Sequence, residues 1–250
     1  MVTGAASGIG RAGARMFARE GAKVIVSTGA NIDGAEETVR LIRDAGGEAS
    51  FVRCDVSKEA EVRAMVEECV GFYGRLDYAF NNAGIGPDGK RVPVVDIVDC
   101  PEDIWDRTLD VNLKGVFLCL KYEMRQMMKQ EFGAIVNTSS VGALKPQPGF
   151  CAYNASKSGL TGLTKTAALE GAPHNIRVNT ILPGPTQETL LFEYLTSTKP
   201  EVKDDMESDV PLCRLAYPDD MAEAVMWLCS DVASFITGQC LPIDGGITAR

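Results

Sequence analysis

The chain of 250 residues contains one histidine, His174. Ser-His-Asp catalysis therefore loses its obvious base, and His174 itself follows Pro173 in a polar stretch where a lone imidazole is ordinarily solvated. The eight cysteines stand at 54, 69, 100, 119, 151, 213, 229 and 240 with no Cys-x-x-Cys pair. A zinc site built from clustered Cys and His is thereby excluded, no other metal is expected, and scattered thiols suit a reducing compartment. No Lys/Arg-rich run occurs, and 25 basic against 34 acidic residues leave a net charge of −9, which argues against nucleic acid or an anionic membrane as partner. No apolar run approaches the ~18 residues of a membrane span, and no basic segment followed by an apolar one opens the chain. The expectation is a cytoplasmic protein.

What the chain does have is a large apolar share, 45% of residues, ample for a buried core. Short β-branched runs alternate with longer helical patterns. After a stub of strand at Met1-Val2, the spacing predicts a helix over Ile9 to Arg19, a strand at Lys23 to Ser27, a helix over Asp33 to Ala45 and a strand at Ala49 to Arg53. Ser57 is placed to N-cap the next helix, with Glu59 and Glu61 near its start. A strand follows at Leu76 to Phe80, a Gly/Pro-rich loop over about 84 to 93, and a mostly helical pattern from Pro101 to Gln130. Ala134 to Thr138 reads as a strand, Ala152 to Glu170 as a helix and Ile176 to Leu182 as a strand. An irregular stretch reaches about 217, followed by a helix over Pro218 to Cys229 and a strand at Gln239 to Ile243. Such alternation predicts an α/β fold: one doubly wound parallel sheet of Rossmann type, in three α/β/α layers, spanning residues 1–250 as a single domain.

Three constellations carry chemistry. Thr3-Gly-Ala-Ala-Ser-Gly-Ile-Gly10 stands between the first strand and first helix, where glycines at 4, 8 and 10 let backbone approach a pyrophosphate at a helix N-terminus. The spacing is G-x-x-x-G-x-G rather than the common G-x-G-x-x-G, and a plain glycine turn has the same composition. Asp55, just past the third strand, is placed to accept from an adenine amino group or to serve as a turn residue. Asn81-Asn-Ala-Gly84 ends the fourth strand, either as a close approach to a ribose or as a loop start, with Asn81 the more strand-tying of the two asparagines. Finally, Tyr153 and Lys157 are four residues apart where a helix begins, so they share a face. A cation beside a phenol favours the phenolate, which would suit Tyr153 to proton transfer. Cys151, two residues earlier, reads as a small wall residue.

These motifs, with Asn112 in DVNLKGVF, Ser139-Ser140, and Pro183-Gly184, resemble the short-chain dehydrogenase/reductase family in order and spacing, from residue 2 to the Asp-Gly-Gly ending at 246. Within it the chain is similar to bacterial NAD(P)-dependent alcohol, ketone and sugar dehydrogenases. The resemblance implies an oxidoreductase moving hydride between a nicotinamide cofactor, NAD(H) or NADP(H), and a small secondary alcohol or ketone. It implies Tyr153 as general acid/base, Lys157 to lower the phenol's pKa and hold the nicotinamide ribose, Ser140 on the substrate oxygen, and Asn112 positioning a water that relays protons. For the cofactor it implies Gly4, Ser7, Ile9 and Gly10 at the phosphates, Asp55 and Val56 at the adenine, Asn82, Ala83 and Gly84 on the ribose side, and Pro183 and Gly184 at the nicotinamide. It also implies a tetramer or dimer of identical chains.

Three features depart from the family pattern. Only Met1 and Val2 precede Thr3, where members usually have a longer apolar strand, so a truncated start is one expectation. The second strand ends in Thr28, Gly29 and Ala30, with neither the acidic residue that holds ribose hydroxyls nor an Arg there or in the loop; the reading leans to NAD because no cation awaits a 2′-phosphate. The Thr expected after Pro-Gly falls on Glu188 by counting, with Thr186 and Thr189 on either side, and Thr186 is taken as the cofactor contact. Residues 186–217 are expected to close over substrate as a lid, apolar through Leu190, Leu191, Phe192, Tyr194 and Leu195. The alternative function is a catalytically silent NAD(P)-binding sensor or scaffold, which would have no need of Asn112, Ser140, Tyr153 and Lys157 together.

Overall fold

In the computed structural model, residues 1–88, 92–198 and 201–250 are described. Seven parallel strands form one sheet in the order β3-β2-β1-β4-β5-β6-β7: β1 (Val2–Thr3), β2 (Lys23–Thr28), β3 (Glu48–Arg53), β4 (Tyr78–Asn81), β5 (Gly133–Thr138), β6 (Ile176–Pro183) and β7 (Cys240–Ile243). Side chains alternate across a strand, so Val24 and Val26 join one core cluster while Ile25 joins the other, and Ala134 and Val136 divide from Ile135 in the same way. With both faces covered, these strands are apolar throughout rather than alternating. Helices α1 (Gly8–Arg19), α2 (Ile32–Asp44) and α9 (Pro218–Cys229) cover one face; α3 (Glu59–Tyr73), α5 (Gly115–Gln130) and α6 (Cys151–Gly171) cover the other. The layers are those expected from the alternation of elements.

The order reverses at β1, with β2 and β3 on one side and β4 onward on the other. A crevice opens at such a switch point, beyond the carboxyl ends of the strands. Although β1 contributes only two residues to the ladder, it is pinned on both sides, and the Met1 ammonium donates to the Tyr78 carbonyl at 2.9 Å. Asn81 ties strands, as its position suggests: its amide donates to Asn137 of β5 (3.1 Å) and to the fully buried Glu123 of α5 (2.9 Å). Asn137 in turn donates to Thr164, whose hydroxyl meets that of Thr180 on β6.

Several local expectations are corrected. Ser57 does not cap α3, whose N-cap position is Lys58; the Ser57 hydroxyl donates instead to Asp55 Oδ1 at 2.7 Å. The fourth strand lies at Tyr78–Asn81, two residues past the expected start. The helical pattern from Pro101 to Gln130 divides into α4 (Glu102–Leu109), a π-helical turn over Asp110–Lys114, and α5. The stretch read as irregular holds two helices, α7 (Leu190–Thr198) and α8 (Val202–Asp209). His174 is not merely solvated, since its Nδ1 lies 3.0 Å from Glu131 Oε1. Among the described residues no helix is long and apolar enough to cross a membrane, and no group of three His, Cys, Asp or Glu is arranged to hold a metal.

Candidate active site

The reactive cluster assembles where β4, β5 and α6 meet the π-turn. A π-turn inserts one residue into a helix and rotates the next turn relative to the last, and such insertions recur at functional sites. Here it directs Asn112 inward, fully buried. Asn112 Oδ1 accepts from the Ile85 N–H and its Nδ2 donates to the Ile85 carbonyl, both at 2.8 Å; Nδ2 also reaches Ser156 Oγ at 3.1 Å. The side chain thus splints the loop after β4 to α6. Gly84 lies beside it: a Cβ there would sit 3.2 Å from Asn112 Oδ1 and 3.4 Å from Lys157 Nζ. Glycine keeps that approach open.

Lys157 is buried on α6, and its ammonium donates to the Thr138 carbonyl at 2.8 Å while standing over the Tyr153 ring, 5.8 Å from the centroid. Burial pulls its pKa down to about 8. Ser139 Oγ donates to the Lys157 backbone carbonyl at 2.7 Å, fixing α6 against β5, whereas Ser140 is hydrogen-bonded to the Tyr153 phenol and accepts from the Gly142 N–H at 3.1 Å. Of the two serines, Ser140 faces the phenol. Burial holds the Tyr153 pKa above its ordinary value, with the Ser140 bond acting in the opposite direction. The lowering expected from Lys157 is therefore not what governs the phenol here: desolvation prevails, and the cation is anchored to strand β5. Phe150 meets the Tyr153 ring edge-on, and Leu191 of α7 and Tyr153 both approach Gly86.

A second group forms the floor at the switch point. Ser7, at the N-cap of α1, makes no capping bond to the helix, so first-turn N–H groups stand free for an anion. Gly4 takes a positive φ of 66°, and a Cβ on it would lie 2.8 Å from Ala83 Cα; one on Gly10 would run into the Gly4 carbonyl oxygen. Thr3 Oγ1 accepts from the N–H groups of both Asn82 and Ala83 at 3.1 Å, so the glycine loop and the Asn-Asn-Ala-Gly turn are one unit. Asn82 Nδ2 reaches the Gly4 carbonyl at 3.3 Å. The cradle fits a dinucleotide, since the close backbone approaches leave no room for side chains where phosphates would lie.

The remaining candidates spread along the same strand edge. Thr28 ends β2, and Asp55 and Val56 follow β3. One Asp55 oxygen is taken by the Ser57 N–H (3.0 Å) and hydroxyl, so part of this carboxylate works as a turn residue. Val56 is buried against Gly115. Pro183 and Gly184 end β6, where Gly184 N–H donates to the Ile243 carbonyl at 2.9 Å. Thr186 is buried, with its hydroxyl donating to the Gly184 carbonyl at 2.9 Å, and Ile9 flanks the loop in α1. Sequence reasoning missed Thr138, Ser156 and Arg53. The first two act through neighbours in space, while Arg53 Nε donates across to the Gly29 carbonyl at 3.4 Å and so brings a cation to the end of β2 that no neighbour in sequence supplies.

A dinucleotide cradle facing a Tyr–Lys–Ser–Asn cluster, its Lys157 and Asn112 buried, defines the class: an oxidoreductase on a Rossmann-type fold. The family model described as enoyl-(acyl carrier protein) reductase matches residues 4–248. A short chain dehydrogenase/reductase of Aspergillus oryzae is 38% identical, the match covering 99% of this chain and 94% of that protein. A cis-4-hydroxycyclohexanecarboxylate dehydrogenase of Sinomonas cyclohexanicum is 39% identical over 100% of this chain and 96% of that one. A solved structure of NAD+-bound xylitol dehydrogenase superposes with a TM-score of 0.91 at 36% identity, covering 98% of this chain and 96% of the other. The chain belongs to the short-chain dehydrogenase/reductase family. It is an oxidoreductase working by hydride transfer with a nicotinamide cofactor.

Proposed function

We propose that the chain interconverts a small secondary alcohol and its ketone, with Tyr153 as general acid/base and Asn112, Ser140 and Lys157 serving it. The carrying observation is the convergence of Lys157 Nζ, Asn112 Oδ1 and the Tyr153 ring on the space beside Gly84 and Gly86. The cofactor, when bound, supplies or receives the hydride. In reduction the Tyr153 hydroxyl gives its proton to the carbonyl oxygen, and Ser140 donates a hydrogen bond to that oxygen as negative charge gathers on it. In alcohol oxidation the same groups run in reverse. Lys157 places a cation near the phenol and toward the ribose side, and Asn112 holds the wall through which a water relays the proton.

The remaining site residues are proposed to hold the cofactor: Gly4, Ser7, Ile9 and Gly10 at the phosphates, Thr28, Asp55 and Val56 at the adenosine, Asn82, Ala83 and Gly84 at the ribose, and Pro183, Gly184 and Thr186 at the nicotinamide. Whether that cofactor carries a 2′-phosphate turns on the residues at the end of β2. Residues 186–217 serve as the substrate lid of a single domain. Leu191 of this segment lies with Tyr153 against Gly86, which favours a substrate with apolar surface next to its carbinol carbon. We also take the protein to be a cytoplasmic homo-oligomer, a tetramer or dimer through α5 and α6. The test is a panel of alcohols and ketones with NAD(H) and NADP(H), followed by nicotinamide absorbance. Tyr153→Phe is expected to lose about 10²- to 10⁴-fold in rate while still binding cofactor. Wild-type turnover by Tyr153→Phe would refute the assigned role.

A further inference from the structure

We propose that Arg53 selects the 2′-phosphorylated dinucleotide, so that the chain prefers NADP(H); this rests on the dinucleotide reading of the crevice. In the β2–β3 ladder Thr28 lies opposite Arg53. Register partners on adjacent parallel strands point to the same face, so the two side chains stand together at the carboxyl edge of the sheet. That edge is where the adenosine ribose of a dinucleotide lies, and where a carboxylate takes the ribose hydroxyls or an arginine takes a 2′-phosphate. Here the carboxylate is missing. Thr28 is uncharged, and position 29 is tight for a side chain, since a Cβ on Gly29 would stand 3.1 Å from both Asp55 Cα and the Cys54 carbonyl oxygen.

Arg53 is exposed and reaches toward that vacated place, its Nε on the Gly29 carbonyl at 3.4 Å. Among the described residues it forms no ion pair. The other arginines nearby are spent on structure. Arg11 bonds to the Ala6 and Gly34 carbonyls and to Thr38; Arg40 pairs with Glu37 and Asp44; Arg43 holds the Ala49 carbonyl. Asp55, two residues along from Arg53, already has one oxygen occupied by Ser57. An Asp at 28 would sit directly across from Arg53 and neutralise it. With Thr28 there, the planar fork is left for a phosphate, which it matches with two parallel N–H donors.

The experiment is equilibrium binding to the protein without substrate, using the fluorescence of NADPH and NADH and, independently of the nicotinamide, calorimetry with adenosine 2′,5′-bisphosphate and AMP. NADPH should bind at least tenfold tighter than NADH, and Arg53→Gln should weaken NADPH and the bisphosphate by about 10- to 100-fold while NADH changes less than about twofold. Arg53→Lys, which keeps the charge and loses the fork, should fall between. Thr28→Asp should reverse the preference. Tighter binding of NADH by the wild type, or equal loss of both dinucleotides in Arg53→Gln, would overturn the assignment to Arg53 and leave the dinucleotide reading intact. Failure of both dinucleotides to bind would overturn that assignment and the dinucleotide reading together.

Discussion

Lys157 hangs from Thr138: the ammonium donates to that carbonyl at 2.8 Å, and the anchor holds it 5.8 Å from the centre of the Tyr153 ring. The strand therefore sets where the cation stands, and α6 sets where the phenol stands. Lys157 is buried and Tyr153 partly so, and desolvation raises the phenol's pKa and lowers that of the amine to about 8. Below about pH 8 Lys157 is an ammonium and favours the phenolate; above it that support fades.

The proton-accepting form of Tyr153 is the phenolate, so alcohol oxidation should speed up as pH rises. Lys157→Met removes the cation that stands over the Tyr153 ring. The expected outcome is a rising limb of kcat/KM displaced upward by at least about one pH unit, with a rate at pH 8 lower by about 10²-fold. A limb at the wild-type position in the variant would show that Lys157 does not tune the phenol.

Asn112 is fully buried and makes three hydrogen bonds, two of them to the Ile85 backbone. Asn112→Ala strands the Ile85 N–H and carbonyl, while the Ser156 hydroxyl keeps its bond to the Tyr153 carbonyl, and each orphaned buried group costs about 1–3 kcal/mol. Thermal unfolding should show a loss of roughly 2–5 kcal/mol, together with a large fall in turnover. Asn112→Asp keeps the acceptor for the Ile85 N–H but sets a carboxylate against the Ile85 carbonyl, so it should be no better than Ala. Wild-type stability in either variant would contradict the splinting role.

The parts of this fold legible in the sequence are those whose cause is local. The β-branched run of Lys23–Thr28, the glycine loop and the four-residue interval from Tyr153 to Lys157 each carry their geometry in adjacent residues. What escaped had a competing partner, a weak local pattern or a partner far along the chain. Ser57 has the right side chain for an N-cap, but Asp55 captures its hydroxyl. Helix α8, VKDDMESD, has too few apolar residues to show a helical stripe. The π-turn at Asn112 interrupts an otherwise regular pattern with no Pro or Gly inside it. Arg53 stands 25 positions from Thr28, and only the strand register brings them opposite each other.

Glu123 is the clearest case of a buried group outside the chemistry. It is fully buried in α5; its Oε2 accepts from Asn81 at 2.9 Å, while Oε1 and the Asn81 side-chain oxygen have no partner. Burial raises its pKa from 4.5 to about 7, although the Asn81 bond and the Met1 ammonium act in the opposite direction. The folded state therefore holds a proton that the unfolded chain releases above pH 4.5. The stabilisation from this group is fully present below pH 4.5 and is lost as pH rises through about 7, a change of about 3 kcal/mol. Glu123→Gln, neutral at every pH, has no such loss. Urea unfolding at pH 5 and pH 8 should find the variant gaining about 2–3 kcal/mol relative to wild type between the two. The expected shape is a wild-type stability that falls across neutrality and a variant that falls less. A stability difference between the two proteins that stays constant with pH would mean that Glu123 is ionised in the fold, and Asn81 would then be holding a buried charge.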